Sequence, residues 1–473
     1  MKSTIALLVT IAVIFNFENF VDADTCKKDS ISETVGCELL VVLQCNEAGY
    51  CRKGTVPVDP WVAFALKTQR DIQIDEPLDH LQMFDAHNAY NSRASGYGEN
   101  DSCIWPPPYS RYCTNLANQE FTFTDMLNLG VRGLEIDNWF CYNVMRMAHS
   151  SSELSLSCLP IHRSFRDGLQ EIGQWLSREE NVNEIIRIYL NEKFNQSHDF
   201  EMNEALSDFL GTRMLTPSDL KEKYDGVWPT ARQMIQDGKT VVVASSSTAG
   251  SGLVYTHGDV YIHPSYWQDK RRHYFTDYPD CGGKNSTNAF RFYSDSTHYR
   301  IAYDGPTQVG TTLDLSEFVK CRIQFPAVDP ITPQVMATAV FTWASGQPSR
   351  PLTEGACVYL NTSVGRWFTP EYCETELPYA CQSTTDRDEW IISDEVGPYR
   401  DSSCKDGYVF SIPQTGYRQQ KVLETVGLHE KVWINYNPWL KTTISTTPSS
   451  IGNTLTSSIL KCILLISLSF IVS

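Results

Sequence analysis

Histidine, amide and carboxylate side chains follow four consecutive apolar stretches of the sequence, each at the point where the stretch ends. In chain order, these polar residues are His87, Asn88, Glu135, Asp137, His149, Asn191 and Glu192. Because the carboxyl ends of parallel strands meet at one edge of a sheet, we expect these side chains to lie close together. The sequence therefore predicts one polar site that combines imidazoles with oxygen ligands.

Two carboxylates of this set suit a metal ion. Glu135 and Asp137 are two positions apart on a predicted strand, so both side chains leave the same face and can hold one cation. Carboxylate and amide oxygens are ligands of Ca²⁺ and Mg²⁺, and no thiolate stands at these strand ends to favour zinc. The pattern predicts a site for Ca²⁺ or Mg²⁺.

Two imidazoles beside such a cation suit displacement at a phosphodiester. A neutral histidine removes a proton from the attacking hydroxyl, and a protonated one gives a proton to the leaving oxygen. The cation and Arg132 would stabilise the charge that gathers on the phosphoryl oxygens. A single histidine at a strand end is more often structural, so this interpretation depends on the joint placement of the residues.

The elements that must position these residues are eight short apolar stretches, most of them preceded by a stretch with helical spacing. The predicted strands are 81–88, 131–137, 143–149, 184–192, 240–246, 321–328, a segment within 333–345, and 431–437. This alternation predicts an α/β fold, a closed parallel (β/α)8 barrel of the TIM type, over residues 68–440. Two long inserts, 247–313 and 346–420, are predicted to interrupt the barrel.

Both ends of the chain are typical of targeting signals. Residues 1–23 combine Lys2, an apolar run and a small final residue, as in a secretory signal peptide. Residues 441–473 hold a polar spacer and a short apolar end, too short to span a bilayer and typical of a glycosylphosphatidylinositol attachment signal. The sequence predicts an extracellular protein anchored at the outer membrane surface; the alternative is a hydrophobic tail without that role.

The cysteines fit that compartment. Removal of the tail takes away Cys462 and leaves 14 of the 15 cysteines, which can form seven disulfides. Four fall in a predicted N-terminal extension, 24–67, and four in the second insert, where their spacing is faintly similar to the end of a C-type lectin domain. We interpret that insert as a disulfide-stapled surface excursion. Glycosylation sequences fit the same secretory route, at Asn100, Asn195, Asn285 and Asn361.

The charge of the chain excludes one class of partner. Its 39 Lys and Arg residues against 56 Asp and Glu residues give a net charge of −17, which repels the phosphate backbone of nucleic acids. We therefore expect no nucleic-acid partner. The basic cluster 270–275 is a candidate contact for a head group or a membrane, although most short basic runs are only solvated.

Four segments carry a resemblance to a known family. They are DAHNAYNS (85–92), GVRGLEIDNWF (130–140), RMAHS (146–150) and SFRDGLQEIGQWLSREENVNEIIRIYLNEKF (164–194). Together they resemble the catalytic X-type region of phosphatidylinositol-specific phospholipases C, especially the secreted calcium-dependent relatives. FTWASGQP, GRWF, PYAC and VWINYN are similar to later pieces of those relatives, so the resemblance covers most of residues 80–440.

The resemblance implies a role for each strand-end residue. His87 would be the general base and His149 the general acid. The implied metal ligands are Asn88, Glu135, Asp137 and Glu192.

The sequence departs from the family pattern at several positions. The register at the end of the fourth strand is ambiguous by one residue, so Asn191 is the alternative to Glu192. Ala86 stands where Thr is usual and Ser150 where Gly is usual, which bears on substrate fit and leaves the histidines intact. His162 is a rival for the acid role, and His149 is preferred because it closes a predicted strand.

The family reaction would cleave the bond between glycerol and phosphate through attack by the inositol 2-hydroxyl. Its products would be diacylglycerol and a cyclic inositol phosphate, and its substrate a phosphoinositide or related phospholipid at the outer membrane surface. One alternative is a related barrel phosphodiesterase, a glycerophosphodiesterase or a sphingomyelinase D. The other is a catalytically silent surface binding protein, because a fold does not assure a function.

Overall fold

A parallel β-sheet is the central element of this protein. The computed structural model describes residues 53–97, 117–148, 158, 160, 162–191, 198–245, 252–260, 269–271, 276–281, 291–293, 314–352 and 356–436. Counted in chain order, the strands of this sheet are β1 (Asp85–Ala86), β2 (Gly133–Ile136), β5 (Ile186–Leu190), β6 (Val241–Ser245), β7 (Tyr255–Thr256), β8 (Asp269–Arg271), β9 (Arg291–Tyr293) and β10 (Phe325–Val328). Their order is β7-β6-β5-β2-β1-β10-β9-β8, and each neighbouring pair is parallel.

Five predicted strands lie in this sheet. The stretches 81–88, 131–137, 184–192, 240–246 and 321–328 contain β1, β2, β5, β6 and β10. The α/β class with a parallel sheet is therefore confirmed. No pairing joins β7 to β8 within the residues that the structure describes, so closure of the barrel stays a prediction.

Residues 247–313 supply β7, β8 and β9 to the parallel sheet. The prediction of an insert that merely interrupts the strands is wrong for these three segments. They are two or three residues long, which is too short for an alternating apolar pattern to reveal them.

The predicted third strand, 143–149, is not part of this sheet. Its described residues form β4 (Val144–Met147), which pairs antiparallel with β3 (Asn138–Cys141). The two residues between them, Tyr142 and Asn143, both have a positive φ, of 50° and 59°, as a tight two-residue hairpin turn requires. The chain therefore turns back directly after β2, where no helix intervenes.

Two later predictions of barrel strands are also wrong. The segment 333–345 begins with a helix, Pro333–Thr338, because Thr332 caps its amino end and Pro333 occupies its first turn. The stretch 431–437 contains a strand, Lys431–Ile434, that pairs in a second sheet. Apolar patterning alone did not distinguish a short helix, or a strand of the second sheet, from a strand of the parallel sheet.

Helices separate many of the strands along the chain. Their bounds are α1 (Pro60–Asp71), α2 (Phe123–Leu129), α3 (Phe165–Leu176), α4 (Asp199–Phe209), α5 (Pro217–Tyr224), α6 (Ala231–Gln236), α7 (His257–Val260), α8 (Ser316–Lys320), α9 (Pro333–Thr338) and α10 (Gly416–Thr425). None of the described helices is long and apolar enough to cross a membrane.

A second sheet occupies most of the predicted insert 346–420. Its strands are β11 (Val358–Asn361), β12 (Arg366–Phe368), β13 (Leu377–Ser383), β14 (Trp390–Gly397), β15 (Tyr408–Phe410) and β16 (Lys431–Ile434). The order is β12-β11-β16-β13-β14, with β15 paired to β13. Cys357–Cys373 and Cys381–Cys404 link its segments around buried Tyr379 and Trp433. This segment is therefore a folded sheet with its own core.

The chain has two compact units. The first contains 1–351 and 357–436, and the second contains 352–356 and 437–473, of which the structure describes Leu352 and Ala356. The first unit also holds the disulfides Cys141–Cys158 and Cys281–Cys321. The predicted signal peptide 1–23 and attachment signal 441–473 lie outside the described residues, and the extension 24–67 is described only from residue 53.

Arg132 lies at the amino end of the parallel sheet, immediately before β2. Its Nε donates to Glu184 Oε2 at 3.0 Å, and its Nη1 donates to the carbonyl oxygens of Leu127 and Val131. Burial, and after it the charge of Arg70, lowers the pKa of Arg132 to about 10. Because active-site groups of parallel sheets lie at the opposite, carboxyl end, the predicted role of Arg132 at phosphoryl oxygens does not fit this position.

Glu184 has the complementary role in that ion pair. Burial opposes its ionisation, but the charges of Arg132 and Arg70 outweigh burial and hold the pKa of this carboxyl well below its usual range. A depressed folded-state pKa contributes stability that is present above the unfolded value of 4.5 and is lost as pH falls towards the folded value.

We expect Glu184→Gln to lower the free energy of unfolding at pH 7 by about 3 kcal/mol, because Arg132 then stays buried without its counter-ion. The difference from the unchanged protein should shrink between pH 4.5 and pH 3, where that protein loses the contribution of Glu184. Urea unfolding at each pH measures both effects. The exposed Glu180→Gln is the matched control, and a difference that stays constant across this range would contradict the assignment.

A buried ion pair crosses the centre of the sheet. Asp85, Gly133 and Arg187 stand in register on β1, β2 and β5. Arg187 Nη2 donates to both carboxylate oxygens of Asp85, at 2.6 and 2.5 Å, directly over Gly133. A Cβ atom at position 133 would lie 1.8 Å from Asp85 Oδ1, so only glycine leaves room for the pair.

We expect Arg187→Ala to lower the free energy of unfolding by about 3–5 kcal/mol, because Asp85 then remains as a buried charge without its partner. The control is Arg166→Ala, which breaks ion pairs with Glu204 and Asp208 whose side chains are about half exposed. That change should cost less than about 1 kcal/mol. Equal losses for the two variants in urea unfolding would disprove a special role for the central pair.

Candidate active site

His87 lies between two carboxylates at the carboxyl end of the sheet. It is the first residue after β1, and its backbone N–H donates to the carbonyl oxygen of Val328 at 3.2 Å. Its Nδ1 is 3.5 Å from Asp329 Oδ2, and its Nε2 is 3.8 Å from Glu135 Oε2. Since β2 and β10 are the two neighbours of β1, the strand order itself brings one carboxylate to each side of the imidazole.

Asn88 joins the end of β1 to Glu135. Its φ of 44° is in the left-handed region, which asparagine tolerates better than most residues. In this conformation its backbone N–H donates to Glu135 Oε2 at 3.3 Å, and the next residue, Ala89, donates to the backbone oxygen of Glu135 at 2.9 Å. The turn after β1 therefore fixes Asn88 against one of the predicted ligands.

Asp137 lies on the same side of the sheet, one residue after β2. The hydroxyl of Tyr90 donates to Asp137 Oδ2 at 3.0 Å. Burial, and after it the charge of Asp137, raises the pKa of Tyr90 well above its ordinary value. The hydroxyl therefore stays protonated and holds the carboxylate in place.

These residues are almost fully enclosed by protein. His87 and Glu135 are each 5% exposed, Asp137 3% and Asn88 2%. Charges and amides at this depth interact through a lower dielectric than water provides, so each contact is stronger than it would be at the surface. The structure thus brings together four of the predicted site residues and leaves Arg132 at the other end of β2.

Two predicted site residues lie outside the described part of the chain. His149 and Glu192 are not described, but the residues that precede them are. Ala148 donates its N–H to the backbone oxygen of Asp137 at 3.0 Å, and Asn191 donates to that of Ile136 at 3.1 Å. Both chain segments therefore approach the end of β2, and the roles of His149 and of Glu192 or Asn191 stay predictions.

His162, the rival acid, is 5% exposed and packs beside the hairpin of β3 and β4. Its ring stacks on Tyr97 with 4.6 Å between centroids, and its carbonyl oxygen accepts from Arg146 Nη1 at 2.6 Å. Tyr97 in turn meets Tyr90 edge to face. Aromatic packing thus links His162 with the residue that holds Asp137.

Asp329 and Asn118 were not predicted from the sequence. Asp329 is fully buried and follows β10 directly, so the strand-end rule that found the other carboxylates would also have found it after 321–328. Asn118 lies in the segment before α2 and donates to Asp329 Oδ2 at 2.6 Å. No spacing or motif in the sequence marks Asn118.

The donor set suits a hard cation by its chemistry, since Asn88, Glu135 and Asp137 offer amide and carboxylate oxygens. Within the described ranges, no group of three or more His, Cys, Asp or Glu side chains has the arrangement of a metal site. The fourth predicted ligand, Glu192, lies outside those ranges.

Two relatives align with most of the chain. They are uncharacterised proteins from two strains of Mycobacterium tuberculosis, each 21% identical over 413 residues, which cover 80% of this chain and 80% of the relative. The maintenance of telomere capping protein 6 of Vanderwaltozyma polyspora is 28% identical over 118 residues, which cover 21% of this chain and 22% of that protein.

Among solved structures, a calcium-dependent phosphoinositol-specific phospholipase C from a Pseudomonas species is 16% identical, with a TM-score of 0.31. The similarity covers 60% of this chain and 95% of that one. A likeness of this size supports no argument about fold or activity.

A family model matches one continuous region of the chain. The model described as PI-PLC X 1 matches residues 112–283, which include Glu135, Asp137 and the segment around His149. The motifs that resemble the phospholipases C overlap this range and extend before it to His87 and Asn88. Residues 112–283 therefore match the X region of the phosphatidylinositol-specific phospholipases C, and this match supports a family of that kind for the chain.

Proposed function

We propose that the protein is a phosphodiesterase that cleaves the glycerol–phosphate bond of a phosphoinositide or related phospholipid. One observation carries the proposal: the imidazole of His87 lies between Asp329 and Glu135, beside the oxygen donors of Asn88 and Asp137. The family match over residues 112–283 supports the reaction class. Displacement at a phosphodiester needs a group that transfers a proton and a cation held by oxygen ligands, and this arrangement offers both kinds of residue.

His87 is the proposed general base. Asp329 faces Nδ1, so it favours the tautomer that carries the proton on Nδ1 and leaves the lone pair on Nε2. In that tautomer Nε2 removes the proton from the inositol 2-hydroxyl as this oxygen attacks phosphorus. The carboxylate of Asp329 stabilises the imidazolium that forms, and burial keeps water from weakening that interaction.

The proposed cation is Ca²⁺, and its ligands would be Asn88, Glu135, Asp137 and Glu192, with Asn191 as the alternative to Glu192. When bound, it would neutralise the charge that gathers on a phosphoryl oxygen. Glu135 has a second task, because its Oε2 accepts the N–H of Asn88 and faces His87. This carboxylate therefore sets the spacing between the base and the ligand oxygens.

His149 is the proposed general acid, which gives its proton to the departing glycerol oxygen. The support for it is that Ala148, the residue before it, is bonded to the backbone of Asp137. His162 is the alternative, since its ring packs near Tyr90 through Tyr97.

The proposed setting is extracellular, at the outer membrane surface. Four disulfides among the described residues are typical of proteins that fold in an oxidising compartment. A phosphoinositide in the outer leaflet, or a soluble phosphodiester derived from it, would be accessible there.

We expect the purified protein to convert labelled phosphatidylinositol to diacylglycerol and cyclic inositol phosphate, and a calcium chelator to abolish this turnover until Ca²⁺ is restored. Product chromatography with and without chelator measures it. Release of choline from choline lipids would instead assign a sphingomyelinase D activity, and release of glycerophosphate from deacylated lipids a glycerophosphodiesterase. No turnover of any phosphodiester would reject an enzymatic function in favour of a binding protein.

We expect His87→Ala and His149→Ala each to lower kcat by about 10²–10⁴, the range that general acid–base groups contribute. The control is His80→Ala, because this side chain is 41% exposed and lies on the segment before β1. Circular dichroism checks that each variant folds. If His162→Ala removes activity and His149→Ala does not, the acid role belongs to His162.

A further inference from the structure

Asn118 has its position fixed by backbone contacts with the segment that follows β1. Its N–H donates to the carbonyl oxygen of Asn91 at 2.9 Å, and Gln119 donates to the same oxygen at 3.0 Å. Gln119 and Ser92 also form a parallel bridge. Asn118 is 1% exposed, so its side chain amide must find all its partners within the protein.

The amide of Asn118 contacts three side chains, two of which belong to the candidate active site. Its Nδ2 donates to Asp329 Oδ2 at 2.6 Å. Its Oδ1 accepts from Asn91 Nδ2 at 2.7 Å and from Asn88 Nδ2 at 3.2 Å. One side chain therefore contacts both the carboxylate that faces His87 and the amide of a proposed cation ligand.

The chemistry of these groups fixes which way each amide points. An ionised carboxylate only accepts hydrogen bonds, so Asp329 requires the NH₂ group of Asn118 on its side. The oxygen of Asn118 then faces Asn88, which must present its own NH₂ group in return. As a result the oxygen of Asn88 is turned away from Asn118. Only this oxygen can bind a hard cation, since an amide NH₂ group is no ligand for Ca²⁺.

We propose that Asn118 is a positioning residue that couples the general base to the cation site, by orienting the Asn88 amide and the Asp329 carboxylate through one side chain. This inference rests on the proposed function, because it requires that His87 and Asn88 have the roles given there. It adds a residue that touches neither the substrate nor the cation and acts through its two neighbours.

Two variants separate the two halves of this role. Asn118→Ala removes every side-chain hydrogen bond of this residue, so the Asn88 amide loses its fixed orientation and Asp329 loses the donor that Asn118 supplies. We expect about a tenfold or greater loss of calcium affinity, as is usual for residues that orient metal ligands, together with a lower kcat and an unchanged KM. Asn118→Asp keeps an acceptor for Asn88 and replaces the NH₂ donor to Asp329 by a second carboxyl oxygen, so the new carboxyl group and Asp329 share one proton and cannot both be ionised. It should retain calcium affinity to within about threefold while kcat still falls.

Titration calorimetry with CaCl₂ measures affinity independently of turnover, and kinetics on phosphatidylinositol at saturating Ca²⁺ give kcat and KM. The matched control is Asn128→Ala, which removes the bond from Trp175 Nε1 to Asn128 Oδ1 on α2 and should leave calcium affinity and kcat within about twofold. Melting curves identify any variant that does not fold. If Asn118→Ala does not fold, the isosteric Asn118→Asp decides the matter through its kcat.

Calcium affinity of Asn118→Ala within about twofold of the unchanged protein would overturn the proposal, and so would an equal loss of affinity in both variants or an unchanged kcat in Asn118→Asp. These failures leave the proposed function intact. If the unchanged protein neither binds Ca²⁺ nor turns over a phosphodiester, the proposed function fails, and this inference fails with it.

Discussion

The ion pair between Asp85 and Arg187 is the interaction on which the arrangement of the site depends. It links three adjacent strands, because the two charged side chains meet over Gly133. Both charges are buried, so neither is tolerated without the other. His87 follows Asp85 by two residues and Glu135 follows Gly133 by two, so the pair fixes the relative heights at which the base and its carboxylate leave the sheet.

The rule that reactive groups follow parallel strands accounts for what the sequence could predict. His87, Asn88, Glu135 and Asp137 lie together because β1 and β2 are neighbours. Arg132 did not come from this rule, since it stands at the start of the predicted strand 131–137, and strict use of the rule would have excluded it from the site. The rule missed Asn118 because that residue precedes a helix, and its importance comes from three long-range hydrogen bonds that no local spacing reports.

The errors in the fold have a similar physical origin. The apolar stretch 143–149 carries the pattern of a strand, but two residues with positive φ send it back along β3 before any helix can form. The strand Lys431–Ile434 pairs antiparallel with β11, and its sequence does not say which sheet it joins. Alternation reports burial on one face, whereas the partner of a strand is decided by distant segments.

The buried carboxylate of Glu76 connects the parallel sheet to the later part of the chain. Glu76 precedes β1, yet it is paired with Arg387 and Arg418, which belong to the loop after β13 and to α10. The region that the family model matches, residues 112–283, contains none of these three residues, and it also lacks β1 and β10 of the parallel sheet. The segment by which the family is recognised is thus shorter than the piece that can fold, and an alignment boundary here is no guide to a cooperative unit.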